Sequence, residues 1–507
     1  MSASCRLAAL AISAALLTST SAGAMDDYII ASSRAPTLLK LCGNDVTIAA
    51  ACKTRDFDAL AARMDETLQT ALAKAPVNVQ PLLKRDQAWF DEIVVNAAQS
   101  LSSAEKNDDR DALVARLQQR IATLESLSAG FGRPGFVGRW VSAFGNVTVT
   151  PDERGAYRLA FDLRSAYGAE DDRPMECRIA AQVAPTPGGW LTGALPLEEK
   201  PANDKAAVNV AKEDPVKPPA IKMRRQGETL RIVVEYGDDG VRPACGSIEQ
   251  ITATYFASGT ADGTDKTDTS FIAPTFDCTR PETASDEEIC ADPDLAENDQ
   301  KLNRAWKALL PRLDEATRRA LAEDQRHWVQ AQAWQYPEFL HPAWNKQSSF
   351  KHFTASGRDK LNRLQRERVA LLDGFDEKRN GMAGLWLSYT AVLKVTMSDD
   401  GSVTGSGWKW EQGDWKAGCD FDIEGSMVKG VFRSDEERTN PDTLERDHAM
   451  LIVNRRDDSF AKKRFRADGD GFNDEPKCKR SAAVSSTARL FPVRPSPDID
   501  NPGGAIR

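Results

Sequence analysis

The residue types that could carry catalysis or bind a metal ion are few and scattered in this sequence. Its four histidines are His327, His341, His352 and His448. The run Asp468-Gly469-Asp470-Gly471-Phe472-Asn473-Asp474 presents side-chain oxygens at alternating positions, as calcium-binding loops do. Residues 236–240 hold the corresponding place before an earlier cysteine and have the composition of an ordinary hairpin turn. This favours a turn over a calcium site in residues 468–474 as well.

The sequence also contains no familiar catalytic motif. It lacks Gly-x-Ser-x-Gly, a phosphate-binding loop, a dinucleotide-binding glycine pattern after a strand, and Cys-x-x-Cys. Asp299 and Asp324 lie in predicted helices, where capping and salt bridges are common roles for a carboxylate. We therefore expect no enzyme activity, no cofactor and no metal ion, with a hydrolase as a minor alternative. A tryptophan-rich binding patch is a further alternative, although alternation along a strand places some of its members in the core: Trp408, Trp410 and Trp415.

The N-terminus has the pattern of a secretory signal. Arg6 supplies a positive charge, residues 7–17 are apolar, and Ala22-Gly23-Ala24 fits a cleavage site. The apolar run is shorter than the ~20 residues that span a bilayer. We expect cleavage after Ala24 and a periplasmic or secreted protein without an integral membrane segment.

Composition agrees with a folded, exported protein. Hydrophobic residues make up 41% of the 507 residues and charged residues 28%, which excludes collagen, coiled-coil rods and wholesale disorder. The formal net charge of −9 argues against a nucleic-acid partner. Beyond Cys5 the chain has an even number of cysteines, which in an exported protein indicates four disulfide bonds: Cys42, Cys52, Cys177, Cys245, Cys278, Cys290, Cys419 and Cys478.

Spacings that recur along the chain predict a tandem duplication. Cys52 lies 34 residues before Asp86, and Cys290 lies 34 residues before Asp324. Glutamine follows each aspartate directly, and a tryptophan follows two or three residues after the glutamine. Gly138-Arg139-Trp140 likewise matches Gly384-Leu385-Trp386, at an offset of 246. Self-similarity of this kind is typical of repeated units. We name residues 25–257 the first half and residues 271–507 the second half.

Each half combines helical and strand patterns. Apolar residues recur every three or four positions in 57–72, 81–97 and 113–124 of the first half, and again in 295–309, around Trp328 and in 361–372 of the second. Period-two alternation and hairpin turns such as residues 398–401 follow in both halves. The predicted fold class is α+β: each half is a disulfide-pinned three-helix unit followed by a small antiparallel β sandwich or barrel.

Residues 276–328 carry a family pattern. Its parts are a Cys, a Glu-x-Ile-Cys, an Asp-x-x-Leu and a Gln-Arg-x-Trp-like helix, at Cys278, 287–290, 292–295 and 325–328. This pattern resembles the N-terminal domain of the LprI-like lysozyme-inhibitor family. The first half matches it weakly: it keeps Cys42, Cys52 and Asp86-Gln87-Ala88-Trp89, lacks the Glu-x-Ile, and places its tryptophan one residue closer to the glutamine. The resemblance implies a secreted, helical, disulfide-pinned module, with lysozyme inhibition for part of the family.

The repeated order of the cysteines predicts pairing within each half: Cys42 with Cys52, Cys177 with Cys245, Cys278 with Cys290, and Cys419 with Cys478. The predicted domains are a signal peptide (1–24), helical modules (38–128 and the LprI-like 271–375), β domains (135–257 and 381–493), a flexible insertion (197–219), a linker (258–270) and a disordered tail (494–507).

These features favour a secreted or periplasmic binding protein. The resemblance makes lysozyme inhibition by occlusion of the enzyme's cleft the specific expectation, with a c-type lysozyme as the protein partner. An acidic inhibitor suits a basic enzyme, because charge complementarity raises the association rate. The alternative is a cell-envelope scaffold or regulatory protein with neither inhibitory nor enzymatic activity.

Overall fold

The structure is a computed structural model of the chain. It describes residues 31–35, 37–38, 55–101, 107–127, 129–164, 176–196, 218–235, 251–260, 270–335, 355–411, 414–434, 443–454, 463–465 and 487–499. The predicted signal peptide, residues 468–474 and the side chains of Trp408, Trp410 and Trp415 lie outside this description. None of the described helices is long and apolar enough to cross a membrane.

The first half begins with three helices, as the apolar periodicity predicts. They are α1 (Arg55–Lys74), α2 (Gln80–Leu101) and α3 (Asn107–Leu127). Helix α1 packs along α3, because the stripe that contains Phe57, Met64 and Leu68 is buried in one cluster with residues of α3. Asp56 in the first turn of α1 and Lys74 in its last turn complement the helix dipole.

A closed antiparallel barrel follows the three helices. Its strands are β1 (Gly138–Ser142), β2 (Gly145–Pro151), β3 (Tyr157–Arg164), β4 (Glu176–Pro185), β5 (Leu191–Ala194), β6 (Ala220–Gln226), β7 (Thr229–Glu235) and β8 (Ala253–Ser258). Pairing of β1 with β8 closes the barrel. The alternation along β3 places Leu159, Phe161 and Leu163 in its core, as predicted.

The second half contains four described helices rather than the predicted three. They are α4 (Ala284–Ala291), α5 (Pro293–Leu309), α6 (Glu315–Gln335) and α7 (Ala355–Asp373). The additional helix α4 is separate because Asp292 leaves the helical conformation and caps α5, with Pro293 at its first position.

A second, barrel-like antiparallel sheet follows. Its strands are β9 (Gly384–Leu387), β10 (Ala391–Met397), β11 (Ser402–Glu411), β12 (Asp414–Val428), β13 (Val431–Ser434), β14 (Thr443–Asp447), β15 (Met450–Asn454), β16 (Lys463–Phe465) and β17 (Thr487–Val493). The strand order is β13-β12-β11-β10-β9-β17-β15-β14, and β16 pairs with β12. The position of β17 between β9 and β15 corresponds to that of β8 between β1 and β7.

Both sheets enclose one fully buried tryptophan held in the same way. The indole N–H of Trp140 donates to the Phe136 carbonyl and that of Trp386 to the Met382 carbonyl, each at 2.7 Å. Two guanidinium groups stack on each indole, 4.4 to 5.4 Å from the ring centroid: Arg133 and Arg225 on Trp140, and Arg379 and Arg446 on Trp386. Such cation–π contacts strengthen when they are removed from water.

Residues 494–499, the first part of the predicted tail, pack against the second half. Ile499 is buried in an apolar cluster of the second half, and Asp498 forms an ion pair with Arg366 at 3.3 Å. Terminal segments are ordered where contacts of this kind hold them to the rest of the domain. Residues 500–507 lie outside the described residues.

Candidate functional site

Helix α4 carries the Glu-x-Ile-Cys residues and is buried almost from end to end. A capping box starts it: the Thr283 hydroxyl accepts from the Asp286 N–H, and the Asp286 carboxylate accepts from the Thr283 N–H. The predicted disulfide between Cys278 and Cys290 is confirmed, with the two Cα atoms 5.8 Å apart. The module therefore has a covalent tie at the end of the helix that carries its most characteristic residues.

The other predicted disulfides are described less fully. Cys177 is disulfide-bonded, and its predicted partner Cys245 lies outside the described residues. The same holds for Cys42, Cys52 and Cys478 and for the side chain of Cys419, so these pairings stay predictions.

A buried charge cluster joins α4 and the start of α5 to the first half. Arg85 of α2 donates to the Glu288 carboxylate at 2.9 Å. Arg231 of β7 pairs with Glu288 and reaches Asp292 at 3.1 Å. Arg358 of α7 donates to both Asp292 oxygens, at 2.9 and 3.1 Å. All five side chains are at most 2% exposed. The two acids are therefore neutralised inside the protein, two of the three arginines coming from the first half.

The cluster keeps Asp292 ionised in spite of its burial. Burial alone would raise the pKa of Asp292, but the charges and hydrogen bonds of Arg358 and Arg231 lower it to about 2. Removing one partner of such a buried pair costs ~3–5 kcal/mol, because the remaining charge is left without compensation. The cluster thus fixes how the two halves meet.

Glu287 binds the N-terminal segment of the first half. Its two carboxylate oxygens accept from the backbone N–H groups of Ser32 and Ser33, at 2.9 and 2.7 Å. The Ala31 N–H donates to the Glu282 carbonyl at 3.0 Å. Burial raises the pKa of Glu287 to about 7, and Arg85 opposes that rise. Two consecutive glutamates are typical of a solvent-exposed helix face, yet Glu287 and Glu288 are both buried and accept hydrogen bonds from the first half.

Asp324 and Gln325 form a second buried set of hydrogen bonds, which joins α6 and α7 to the sheet of the second half. We call this set the Asp-Gln-Arg joint. The Asp324 carboxylate accepts from Arg368 at 2.6 Å and from the Tyr389 N–H at 3.1 Å. Gln325 accepts from Arg368 at 2.6 Å. Burial raises the pKa of Asp324, and Arg368 opposes this. The role of Asp324 is therefore structural.

The first half contains the same joint. Asp86 accepts from Arg120 at 2.8 Å and from the Ala143 N–H at 2.7 Å, and Gln87 accepts from Arg120 at 2.9 Å. The repeated spacing of the Asp-Gln pair thus corresponds to a repeated set of hydrogen bonds. The spacing of the Asp-Gln pairs was visible in the sequence, but the arginines that bind them, Arg120 and Arg368, could not be predicted from it.

The match of Trp89 to Trp328 is wrong. Arg368 lies over the Trp328 ring, 5.8 Å from its centroid. In the first half, Arg120 lies over Phe90 instead, at 5.2 Å. Trp89 packs into the barrel core, with the Arg85 guanidinium 4.7 Å from its ring. An offset of 238, the same as for Asp86 and Asp324, pairs Phe90 with Trp328 and removes the apparent one-residue shift.

The remaining candidate residues are dispersed. Asp299 accepts from the Thr275 N–H at the surface, at 2.6 Å. His327 stacks against Tyr389, with ring centroids 5.2 Å apart. His448 lies in a hairpin turn with φ of 53°, and its Nδ1 is 3.4 Å from an Asp314 oxygen. Among the described side chains, no group of three or more His, Cys, Asp or Glu residues could hold a metal ion.

Comparison with known families places the similarity in the second half. The model of the family Lysozyme inhibitor LprI matches residues 278–371, which start at the first cysteine of the disulfide and end within α7. No second match is found in the first half. No curated protein and no solved structure matches the chain. Residues 278–371 are thus similar to an inhibitor family rather than to a class of enzymes.

Proposed function

We propose that the protein is a secreted or periplasmic binding protein that inhibits a c-type lysozyme by occluding the enzyme's cleft. The family match over residues 278–371 carries this proposal. The signal-like N-terminus and the net charge of −9 agree with it, because an acidic inhibitor would be drawn to a basic enzyme. Occlusion requires shape and charge complementarity only, so no catalytic residue or cofactor is needed.

The lysozyme-binding surface would lie away from α4. The first half covers that helix and neutralises Glu288 and Asp292. Helix α6 offers acids that remain at the surface: Glu315 is 67% exposed and Glu323 is 48% exposed. Partners of these acids, such as Arg319 at 3.9 Å, are themselves exposed, so a bound lysozyme could replace them at little cost. We infer that the outer face of α6 contributes to the contact.

We also infer that the two halves arose by duplication and that the first half now supports the second. The shared Asp-Gln-Arg joints and arginine-stacked tryptophans support common ancestry. At an offset of 238, Ala49 and Ala50 stand where the second half has Glu287 and Glu288, and Glu323 stands where the first half has Arg85. The first half therefore supplies the arginine and the second half the glutamates of the contact, and at these positions neither half carries the residues of the other.

Lysis of bacterial cell walls by a c-type lysozyme tests this function. The full oxidised chain should slow lysis as its concentration rises, and more strongly at low salt, because screening weakens charge attraction. Replacing Glu315 and Glu323 together by lysine should reduce inhibition. Replacing the exposed Asp58 and Glu66 of α1 together by lysine makes the same change of charge at the same spacing and should have no such effect. An unchanged lysis rate with several lysozymes would contradict the proposal.

The scaffold alternative draws on one specific observation. The residues most typical of the family pattern, Glu287, Glu288 and Cys290, are 0–1% exposed and make internal contacts. A protein that used the module only for packing would show this burial and no effect on lysis. A folded, oxidised chain that leaves lysis unchanged would therefore favour the scaffold.

A further inference from the structure

One row of side chains on the outer face of the first barrel holds the helices of the second half. Arg224 of β6, Arg231 of β7 and Thr254 of β8 are directly paired across the three strands, so they lie side by side on one face. Arg85 of α2 extends the row, because it donates to the Thr254 hydroxyl at 3.1 Å. We call these four residues the first row. Its three arginines pair with acids of α4 and α5 at 2.9 to 3.1 Å: Glu288, Asp292 and Glu297.

The buried tryptophans fix which residues of the second half are equivalent. Arg225 and Arg446 stack on the tryptophan of their own half, so β6–β7 correspond to β14–β15 at an offset of 221. The strand partners of the two tryptophans give an offset of 235 for β8 and β17. At these offsets the counterparts of Arg224, Arg231 and Thr254 are, in the same order, Glu445, Ile452 and Arg489.

These counterparts form a second row with the same arrangement. Glu445 is directly paired with Ile452, and Ile452 with Arg489. Glu323 of α6 extends the row as Arg85 does in the first half, because its carboxylate lies 3.3 Å from the Arg489 guanidinium. We call these four residues the second row. The repeat has therefore kept the geometry of the surface that carries the helices in the first half.

The charge and the exposure of the row differ between the halves. The first row has three arginines and no acid, whereas the second row has two acids and one arginine, which is paired with Glu323. Arg85 and Arg231 are at most 2% exposed beneath α4 and α5. Glu323 and Arg489 are 48% and 56% exposed, and Glu445 is exposed as well. The second row is thus an open surface of opposite charge.

An apolar side chain lies beside the row in both halves. In the first half, Trp190 closes the turn between β4 and β5, and its indole donates to Asp294 of α5 at 2.8 Å. Val431 closes the corresponding turn between β12 and β13. Trp190 is 6% exposed under α5, whereas Val431 is 63% exposed. An apolar anchor within a polar rim is typical of protein interfaces, and in the second half this anchor is exposed.

We propose that the second row and Val431 bind the basic lysozyme, which takes the place that α4 and α5 occupy on the first row. This inference rests on the proposed function and extends the contact from α6 onto the sheet through Glu323. The acids of the row complement a basic partner, and Ile452 and Val431 supply apolar contact. A second copy of α4 and α5 would instead bring acids against Glu323 and Glu445, and like charges disfavour that occupant.

Calorimetric titration of a c-type lysozyme with the full oxidised chain tests this contact. Glu445→Arg and Ile452→Arg install the residues that the first half carries at these positions, so the sheet should tolerate them. Each should weaken lysozyme binding at least about tenfold, which corresponds to ~1.4 kcal/mol, because the new arginine would face a basic enzyme. Urea titration verifies that each variant is folded.

Two variants of the first half are the matched controls. Glu153→Arg, before β3, makes the same charge change as Glu445→Arg, and Ala160→Arg, on β3, makes the same charge change as Ile452→Arg; both positions are exposed. Neither should change the affinity. Unchanged affinity in both second-row variants, with binding by the unaltered chain intact, would overturn this inference alone. A folded, unaltered chain that forms no complex with lysozyme would overturn the proposed function together with it.

Discussion

Replacing Arg85 by methionine would remove one of the two first-half cations that neutralise Glu288. The two charged groups are 2.9 Å apart, with exposed fractions of 2% and 0%. Methionine keeps much of the side-chain length and can still pack on Trp89, so the cavity left behind is small. Glu288 would retain Arg231 alone. We expect the free energy of unfolding to fall by ~3 kcal/mol, at the lower end for a broken buried pair.

Urea unfolding of the full oxidised chain measures this change, and a double-mutant cycle isolates its cause. Glu288→Leu combined with Arg85→Met should cost less than the sum of the single variants by ~1.5–3 kcal/mol, because the double variant buries neither charge of the pair. Arg319→Met, at an exposed pair 3.9 Å from Glu315, is the control and should change stability by less than ~0.5 kcal/mol. Additive single effects, or an Arg85 variant as stable as the control, would refute the structural role of the cluster.

Further predictions concern pH, the disulfide and one glycine. The pKa of Glu287 is about 7 in the folded state against an ordinary 4.5. Its contribution to the free energy of unfolding is therefore fully present below pH ~4.5 and is lost as the pH rises through about 7. Glu287→Gln should make the urea midpoint less dependent on pH across that window. Replacing Cys278 and Cys290 by alanine should cost ~3 kcal/mol, as expected for a short loop, and an unchanged urea midpoint would contradict this. A Cβ at Gly130 would lie 1.9 Å from the Ala257 carbonyl oxygen, so Gly130→Ala should lower the thermal midpoint through a loss of ~1–3 kcal/mol.

Local patterns in the sequence predicted much of the fold. The stripe of α1 and the alternation of β3 place their apolar residues as the structure does, because helix and strand periodicity are properties of neighbouring residues. Cys278 and Cys290 were paired correctly, because the repeated order of the cysteines predicts pairing within each half. The first sheet is a closed barrel, one of the two architectures that the strand pattern allowed.

The role of α4 could not be predicted in this way. Glu288 is bound by Arg85 and Arg231, which lie 203 and 57 residues before it in the chain. Such pairs leave no local signal, and consecutive glutamates are far more common on a solvated face than in a core. The burial of Glu287 depends likewise on Ser32, which is 255 residues away.

One further feature, the register of the repeat around Trp328, needed the structure for a different reason. In the first half, Phe90 stands where the second half has Trp328, and Trp89 lies directly before it. Residue identity therefore favoured Trp89 as the counterpart of Trp328 until the stacked arginines fixed the register.

Titration of a c-type lysozyme with the full oxidised protein, in the presence and absence of saturating chito-oligosaccharide, tests the central claim most directly. Inhibition by cleft occlusion predicts a saturable complex whose affinity falls with added salt and which the oligosaccharide prevents from forming, because both ligands need the same cleft. A complex that forms equally well with the oligosaccharide bound, or no complex at low salt with a fully oxidised protein, would contradict the account.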